Sequence, residues 1–407
     1  MMKLRQTPGV KQLECNEAAG TLGLMISERI NAARVICIVM MMYVHVPSGQ
    51  QTGGGVATAS STRLDHWLES ILIEGPGRAS AALLSVVSGY LIVFTLSRVD
   101  VSVLGLYVRR FKSIVMPMFF WALLTCCVYS VLDQGSGSFV DSAVTWHDKL
   151  NLVLFVYEMP FGATMHLAFL RDLFVCVLLS PLLLWALKRL PMVTLGSLGL
   201  VYLFEHSGNL YIVLRPLVIF GFTAGMLLAL KQVRLDRLDE YWAWFLTMTG
   251  VFAVLVVWAN AGLLNPVESY LAERNVSLKE SILYPLCRLF GSLTIWCTLP
   301  LLKSTQRARL VSWFTPYLFV AFCSHFLVLS VLFNGIWVPL AGDRESYVYL
   351  IWFLSAPFVA LAFSVVMVSA AARIYLPLAS FISGGRIPLS NMYSESPRTR
   401  VLSNQVG

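Results

Sequence analysis

Apolar residues fall into ten stretches separated by polar connectors: Ile30 to Val46, Ala79 to Leu96, Ile114 to Leu132, His166 to Leu187, Met192 to Glu205, Tyr211 to Leu230, Trp242 to Leu264, Ser281 to Leu302, Trp313 to Phe333 and Tyr347 to Ala371. Nine of them run for seventeen to twenty-five residues, the length over which an α-helix crosses the hydrocarbon of a bilayer. The fifth has only fourteen and reads equally as half of a re-entrant pair with the sixth. The pattern predicts an all-α polytopic membrane protein of about ten transmembrane helices. In the connectors, Leu64 to Ile73 has the mixed character of a short interfacial helix, and the apolar patch Leu150 to Tyr157 is too short to cross. A basic connector carrying Arg98, Arg109, Arg110 and Lys112 leads into the third span. After Ala371 the chain turns Gly-, Ser-, Pro- and Arg-rich, the composition of a segment that is disordered from Asn391.

Composition agrees with the pattern. Hydrophobic residues make up 57% of the 407 and charged ones 13%, about half the charged share of a soluble protein. A net charge of +8 would suggest nucleic acid in a soluble chain, but here it follows the cytoplasmic loops. With the amino terminus placed inside, twenty of the thirty Lys and Arg fall on inward segments and six on outward loops, which predicts cytoplasmic termini and no nucleic-acid role. The expected organisation is a cytoplasmic tail over 1–29, a transmembrane domain over 30–371 and a cytoplasmic tail over 372–407. Met1 to Arg29 is polar, so the first helix reads as retained rather than cleaved. Seven of the eight cysteines lie in apolar runs, and no CxxC or Cys/His spacing suits a metal. They read as small buried hydrophobes, and no metal site is expected.

The remaining four basic residues, Arg34, Arg171, Arg215 and Arg288, lie within spans. A guanidinium in hydrocarbon costs at least ~2.5 kcal/mol, so each should face protein or a wet cavity. Arg34 and His45 share the first span, and eleven residues at about 100° each return nearly to the same helical face, roughly 16 Å along the axis. Arg34 can equally snorkel to headgroups, and His45 can equally be an interfacial residue beside Pro47. Arg171 and Asp172 are adjacent, hence on different faces, so they need not pair with each other; Arg215 or Arg288 can supply a partner for Asp172. A buried structural ion network is the alternative to a binding role.

Several motifs in order carry a resemblance. Arg34 and His45 stand as Arg-x10-His; Ser88, Gly89, Tyr90 and Leu91 form a Ser-Gly-Tyr-Leu run in the second span; Arg110, Phe111, Lys112, Pro117 and Trp121 form a basic run closing on proline and aromatics. His166, Leu167, Ala168, Phe169 and Leu170 open the fourth span ahead of Pro181, and Tyr317 to His325 close the series. On these residues the chain resembles the integral-membrane acyltransferase family 3, whose members acylate extracytoplasmic glycans. It departs from the pattern at Ala168, at Ser113 and at Leu83 to Ser85, where aromatic or basic residues are usual.

The resemblance implies transfer of an acyl group from cytoplasmic acyl-coenzyme A, as acetyl-CoA or succinyl-CoA, to a saccharide hydroxyl outside a bacterial cytoplasmic membrane. No permanently bound cofactor is expected. A sugar hydroxyl needs a general base, and imidazole titrates in the useful range, which makes His45 the candidate base. Arg34 is a rigid donor fork for a phosphate, the thioester side of the donor or a partner carboxylate. The other candidate contacts are Ser88, Arg110, Lys112, His166, Arg171, Asp172 and Arg215. Ser88 belongs to a motif that also serves close helix packing, Arg110 and Lys112 are also explained as topogenic charge, and His325 fits a core role. The rival reading is a transporter or flippase in which the same charges line a path without chemistry.

Overall fold

The computed structural model describes residues 8–46, 64–97, 102–132, 164–204, 215–272, 277–302, 311, 313–342 and 348–387. All regular structure among them is helical. In chain order the α-helices are α1 (Pro8–Tyr43), α2 (Leu64–Leu72), α3 (Arg78–Leu96), α4 (Val103–Arg110), α5 (Met116–Leu132), α6 (Ala168–Arg189), α7 (Pro191–Phe204), α8 (Pro216–Leu230), α9 (Trp242–Asn260), α10 (Asn265–Ala272), α11 (Tyr284–Thr298), α12 (Leu318–Leu332), α13 (Val338–Ala341), α14 (Tyr349–Ile374) and α15 (Leu376–Ile382). Each of the ten apolar stretches overlaps a helix among the described residues. Seven helical runs among the described residues are long and apolar enough to cross a membrane, and α7 and α8 are shorter apolar helices.

Three boundaries differ from the sequence expectation. Helix α1 begins at Pro8, so most of the expected amino-terminal tail continues the first apolar helix. The short helix α2 runs on through a widened π-turn at Ile73–Gly77 into α3, giving one helix over Trp67–Leu96. The basic connector is likewise helical: α4, the π-turn Phe111–Val115 and α5 form one run over Val103–Val131. Further π-turns lie at Leu278–Leu283 and Phe333–Trp337. All four have a proline inside or two residues beyond, namely Pro76, Pro117, Pro285 and Pro339. Proline removes one i→i−4 donor and clashes with the carbonyl below it, and widening one turn relieves both without ending the helix.

The tightest helix pair is α3 with α8. A Cβ on Gly89 would collide with the Phe222 backbone, and one on Gly225 with the Val86 carbonyl, so two bare glycines set the approach. Helix α1 lies against α3 and against α14, burying Ala33 and Cys37 completely. Its middle is fixed by Arg29, which donates to the Asp239 carboxylate at 3.0 Å and to the Trp296 carbonyl at 2.7 Å. One apolar core joins α1, α3, α5, α6, α8, α11 and α12; a second joins α1, α12 and α14.

The segment after Ala371, read from composition as a tail, folds back in part. Ala379, Ile382 and Ile387 are buried, and the Trp121 indole donates to the Ile382 carbonyl at 3.2 Å. The loops that contain Leu150 to Tyr157 and the chain from Asn391 lie outside the described residues.

Candidate active site

Helix α1 stops at Tyr43, four residues before Pro47, because a residue ahead of proline is pushed out of the α region. His45 therefore sits in a closing turn, its N–H bonded to the Met42 carbonyl at 3.0 Å, rather than in the helix proper. His166 sits in the 3-10 turn Met165–Leu167 that opens α6, and His325 lies midway along α12. The three imidazoles meet: ring centroids are 6.1 Å apart for His45 and His166, 5.4 Å for His45 and His325, and 4.8 Å for His166 and His325. Phe326 stacks on His166 at 5.8 Å and stands edge-on to His45 at 6.3 Å.

Two of these rings are pinned by backbone carbonyls. His166 Nε2 is 2.9 Å from the Cys323 oxygen, and His325 Nδ1 is 2.7 Å from the Phe322 oxygen. A carbonyl oxygen only accepts, so these nitrogens carry the hydrogen when the rings are neutral. The opposite nitrogens, His166 Nδ1 and His325 Nε2, are then buried lone pairs without a partner among the described residues. Both rings are almost inaccessible, whereas His45 is half-buried. His45 also feels the charges of Arg215 and Arg78. Among the described residues no group of three or more His, Cys, Asp or Glu is arranged to hold a metal ion.

Beside the histidines lies a buried ion network. Arg171 and Asp172, which the helical angle does not require to pair, bind each other: Arg171 Nε and Nη2 donate to Asp172 Oδ1 at 2.9 and 2.7 Å. The arginine side chain is long enough to curl across the angle between adjacent positions. Asp172 Oδ2 accepts the Arg215 backbone N–H at 3.3 Å, and the Arg215 guanidinium stands 3.6 Å away. The carboxylate thus also holds the residue that caps the start of α8. Arg288 takes no part in this: it donates to the Tyr202 hydroxyl at 3.4 Å and faces the Tyr284 ring.

The other candidates are apart from this centre. Arg34 is half-buried on α1, near enough to Arg110 for their charges to interact. Lys112 is exposed in the π-turn after α4. The Ser88 hydroxyl donates to the Leu84 carbonyl of its own helix at 2.8 Å, next to the glycine contact that joins α3 to α8. Sequence reasoning favoured a core role for His325 and overlooked Phe326. The available signal was the end of the Tyr317 to His325 motif.

A multi-pass bundle of apolar helices that encloses three histidines and a paired carboxylate is an integral membrane protein with a polar interior site. The family described as an acyltransferase domain, Acyl_transf_3, matches residues 27–373, and the chain belongs to that family. It is an acyltransferase. The chain is similar to the succinoglycan biosynthesis protein ExoH of Rhizobium meliloti (strain 1021), at 29% identity over 377 residues, covering 92% of this chain and 96% of that protein. No solved structure matches the chain.

Proposed function

We propose that the protein is a membrane O-acyltransferase that moves an acyl group, acetyl in the simplest case or succinyl, from cytoplasmic acyl-coenzyme A to a hydroxyl of a polysaccharide at the outer face of the bacterial inner membrane. The observation that carries this reading is the His45, His166 and His325 cluster, in which the least buried ring stands in front of two pinned ones. Membership of the acyltransferase family supports the reaction, and the name of the ExoH relative supports a polysaccharide acceptor. In this mechanism the neutral His45 ring takes the proton of the acceptor hydroxyl as the oxygen attacks the thioester carbonyl. The carbon–sulfur bond then breaks and the coenzyme A thiolate leaves. Phe326 and the buried histidines restrict how His45 packs, and Asp172 keeps the Arg171 and Arg215 charges compensated beside it.

Arg34 and Arg110 would hold the donor phosphates toward the cytoplasm, with Lys112 at the mouth, because a planar fork matches phosphate oxygens. Ten spans with both termini cytoplasmic suit this division into an inner donor end and an outer acceptor end. The deciding experiment incubates membranes containing the protein with acyl-labelled coenzyme A and compares the mass of surface glycans with and without the protein. Transfer of label, with a glycan mass loss of one acetyl or succinyl group in the deletion, is the expected result. Absence of both would leave the transporter reading.

A further inference from the structure

One cationic side chain near the inner end of the site is not used by the reading above. Arg386 follows α15 through a turn whose Gly384 and Gly385 have φ of +64° and +75°, a region that favours glycine. A side chain at Gly384 would strike both the Ser113 carbonyl and the Arg386 guanidinium, so the turn is seated directly on the π-turn that follows Arg110. Arg386 Nη1 donates to the Ser383 carbonyl at 2.9 Å and to the Ser113 carbonyl at 3.4 Å, and its Cζ lies 4.0 Å from the centroid of the Phe319 ring. These contacts orient the fork while using one nitrogen and one face. Nε and Nη2 have no partner among the described residues, and the residue is exposed.

Arg386 reaches the carbonyl of Ser113, three residues beyond Arg110 in the same helical run, and the charges of Arg34 and Arg110 act on it. Three parts of the chain far apart in sequence thus bring guanidinium groups together, and no described carboxylate forms an ion pair with any of them. Like charges gathered without counter-ions oppose folding, and they suit a site for a polyanion. The place is also connected to the chemistry. Phe319 belongs to the same helical run as Phe322, Cys323 and His325, and six residues of helix set it roughly 9 Å along the axis from His325.

We propose that Arg386 is a donor-binding residue: with Arg34 and Arg110 it grips the phosphate-bearing end of the acyl thioester, and the docked turn 383–386 is a wall of the donor site. This rests on the reading of acyl-coenzyme A as donor. The acyl arm would then run past Phe319 toward the histidines.

The test uses the full-length protein purified in detergent, as wild type and Arg386→Gln, with two donors: acyl-coenzyme A and the acyl-pantetheine that lacks the nucleotide and its phosphates. Loss of a charge-assisted phosphate contact should raise KM for acyl-coenzyme A about tenfold to a hundredfold, with kcat within about threefold. With acyl-pantetheine the two proteins should behave alike. Arg386→Lys, which keeps the charge without the fork, should fall between them on acyl-coenzyme A only. It carries the same comparison if Arg386→Gln does not accumulate. Equal losses on both donors would make Arg386 a support of the fold and overturn the proposal, as would an unchanged KM. A wild type that neither binds coenzyme A in equilibrium dialysis nor transfers from it overturns the donor reading and the proposal together; a wild type that does both, with an indifferent Arg386→Gln, overturns the proposal alone.

Discussion

At the scale of single residues, the site is defined by which nitrogens are already occupied. His166 and His325 each give one ring N–H to a carbonyl of α12, which fixes their orientation, while the His45 ring makes no hydrogen bond among the described residues. Asn keeps polarity and similar size but is no base near neutral pH. His45→Asn should therefore accumulate normally, bind coenzyme A as wild type does, and lose on the order of 10² to 10⁴ in transfer rate. Transfer at the wild-type rate in purified protein would pass the role to His166 or His325. Asp172 poses a different question, because its carboxylate is inaccessible and answers Arg171 and Arg215 at once. Removing one partner of a buried ion network leaves the others uncompensated, so Asp172→Ala should cost about 3–5 kcal/mol. Reduced yield and a lowered melting temperature in detergent are the readouts, and an unchanged melt would show that the network contributes nothing to stability.

Among the elements, glycine and proline decide how the helices meet and where they bend. Gly225 faces the Val86 carbonyl, whereas a Cβ on Gly250 of α9 would meet nothing within 4 Å. Alanine favours a helix over glycine by up to about 1 kcal/mol. Gly250→Ala should leave the melting temperature unchanged or raised. Gly225→Ala should lower it, because overpacking costs about 1–3 kcal/mol and α3 cannot yield without disturbing α1. Equal melts for the two variants would mean that the α3–α8 contact tolerates a methyl group. Pro76 and Pro117 are each taken up by a π-turn, so α2 and α4 extend α3 and α5 instead of ending before them, and both helical runs begin earlier than the apolar stretches do.

For the whole molecule, the charge split predicts that the loops around Gly53 and Gly137 lie outside and both termini inside. Cysteines introduced at these two positions should react with an impermeant maleimide on intact spheroplasts. Reaction only after permeabilisation would invert the topology and put His45 at the cytoplasmic face. Arg34 and the histidines would then exchange their roles as inner and outer ends of the site.

The amino-acid sequence by itself determined the class of fold, because helix-length apolar runs have few alternatives in a bilayer, where backbone groups must bond within their own segment. It also singled out candidates: Arg34, His45, His166, Arg215 and Asp172 are polar groups that apolar helices tolerate only for a reason. Tertiary structure alone decided how they combine. No local signal says that His325 joins His45 and His166, since the three come from α12, the end of α1 and the start of α6. Nor does spacing reveal that Arg171 curls onto Asp172 while Arg288 turns away to Tyr202. The Gly-Gly-Arg segment has the composition of a loose tail, and only its contacts with Ser113 and Phe319 make it a docked turn. Helix formation is a local balance of hydrogen bonds and burial that the chain carries everywhere along its length. Partnership across the bundle depends on which faces the glycine contacts and proline-widened turns bring together.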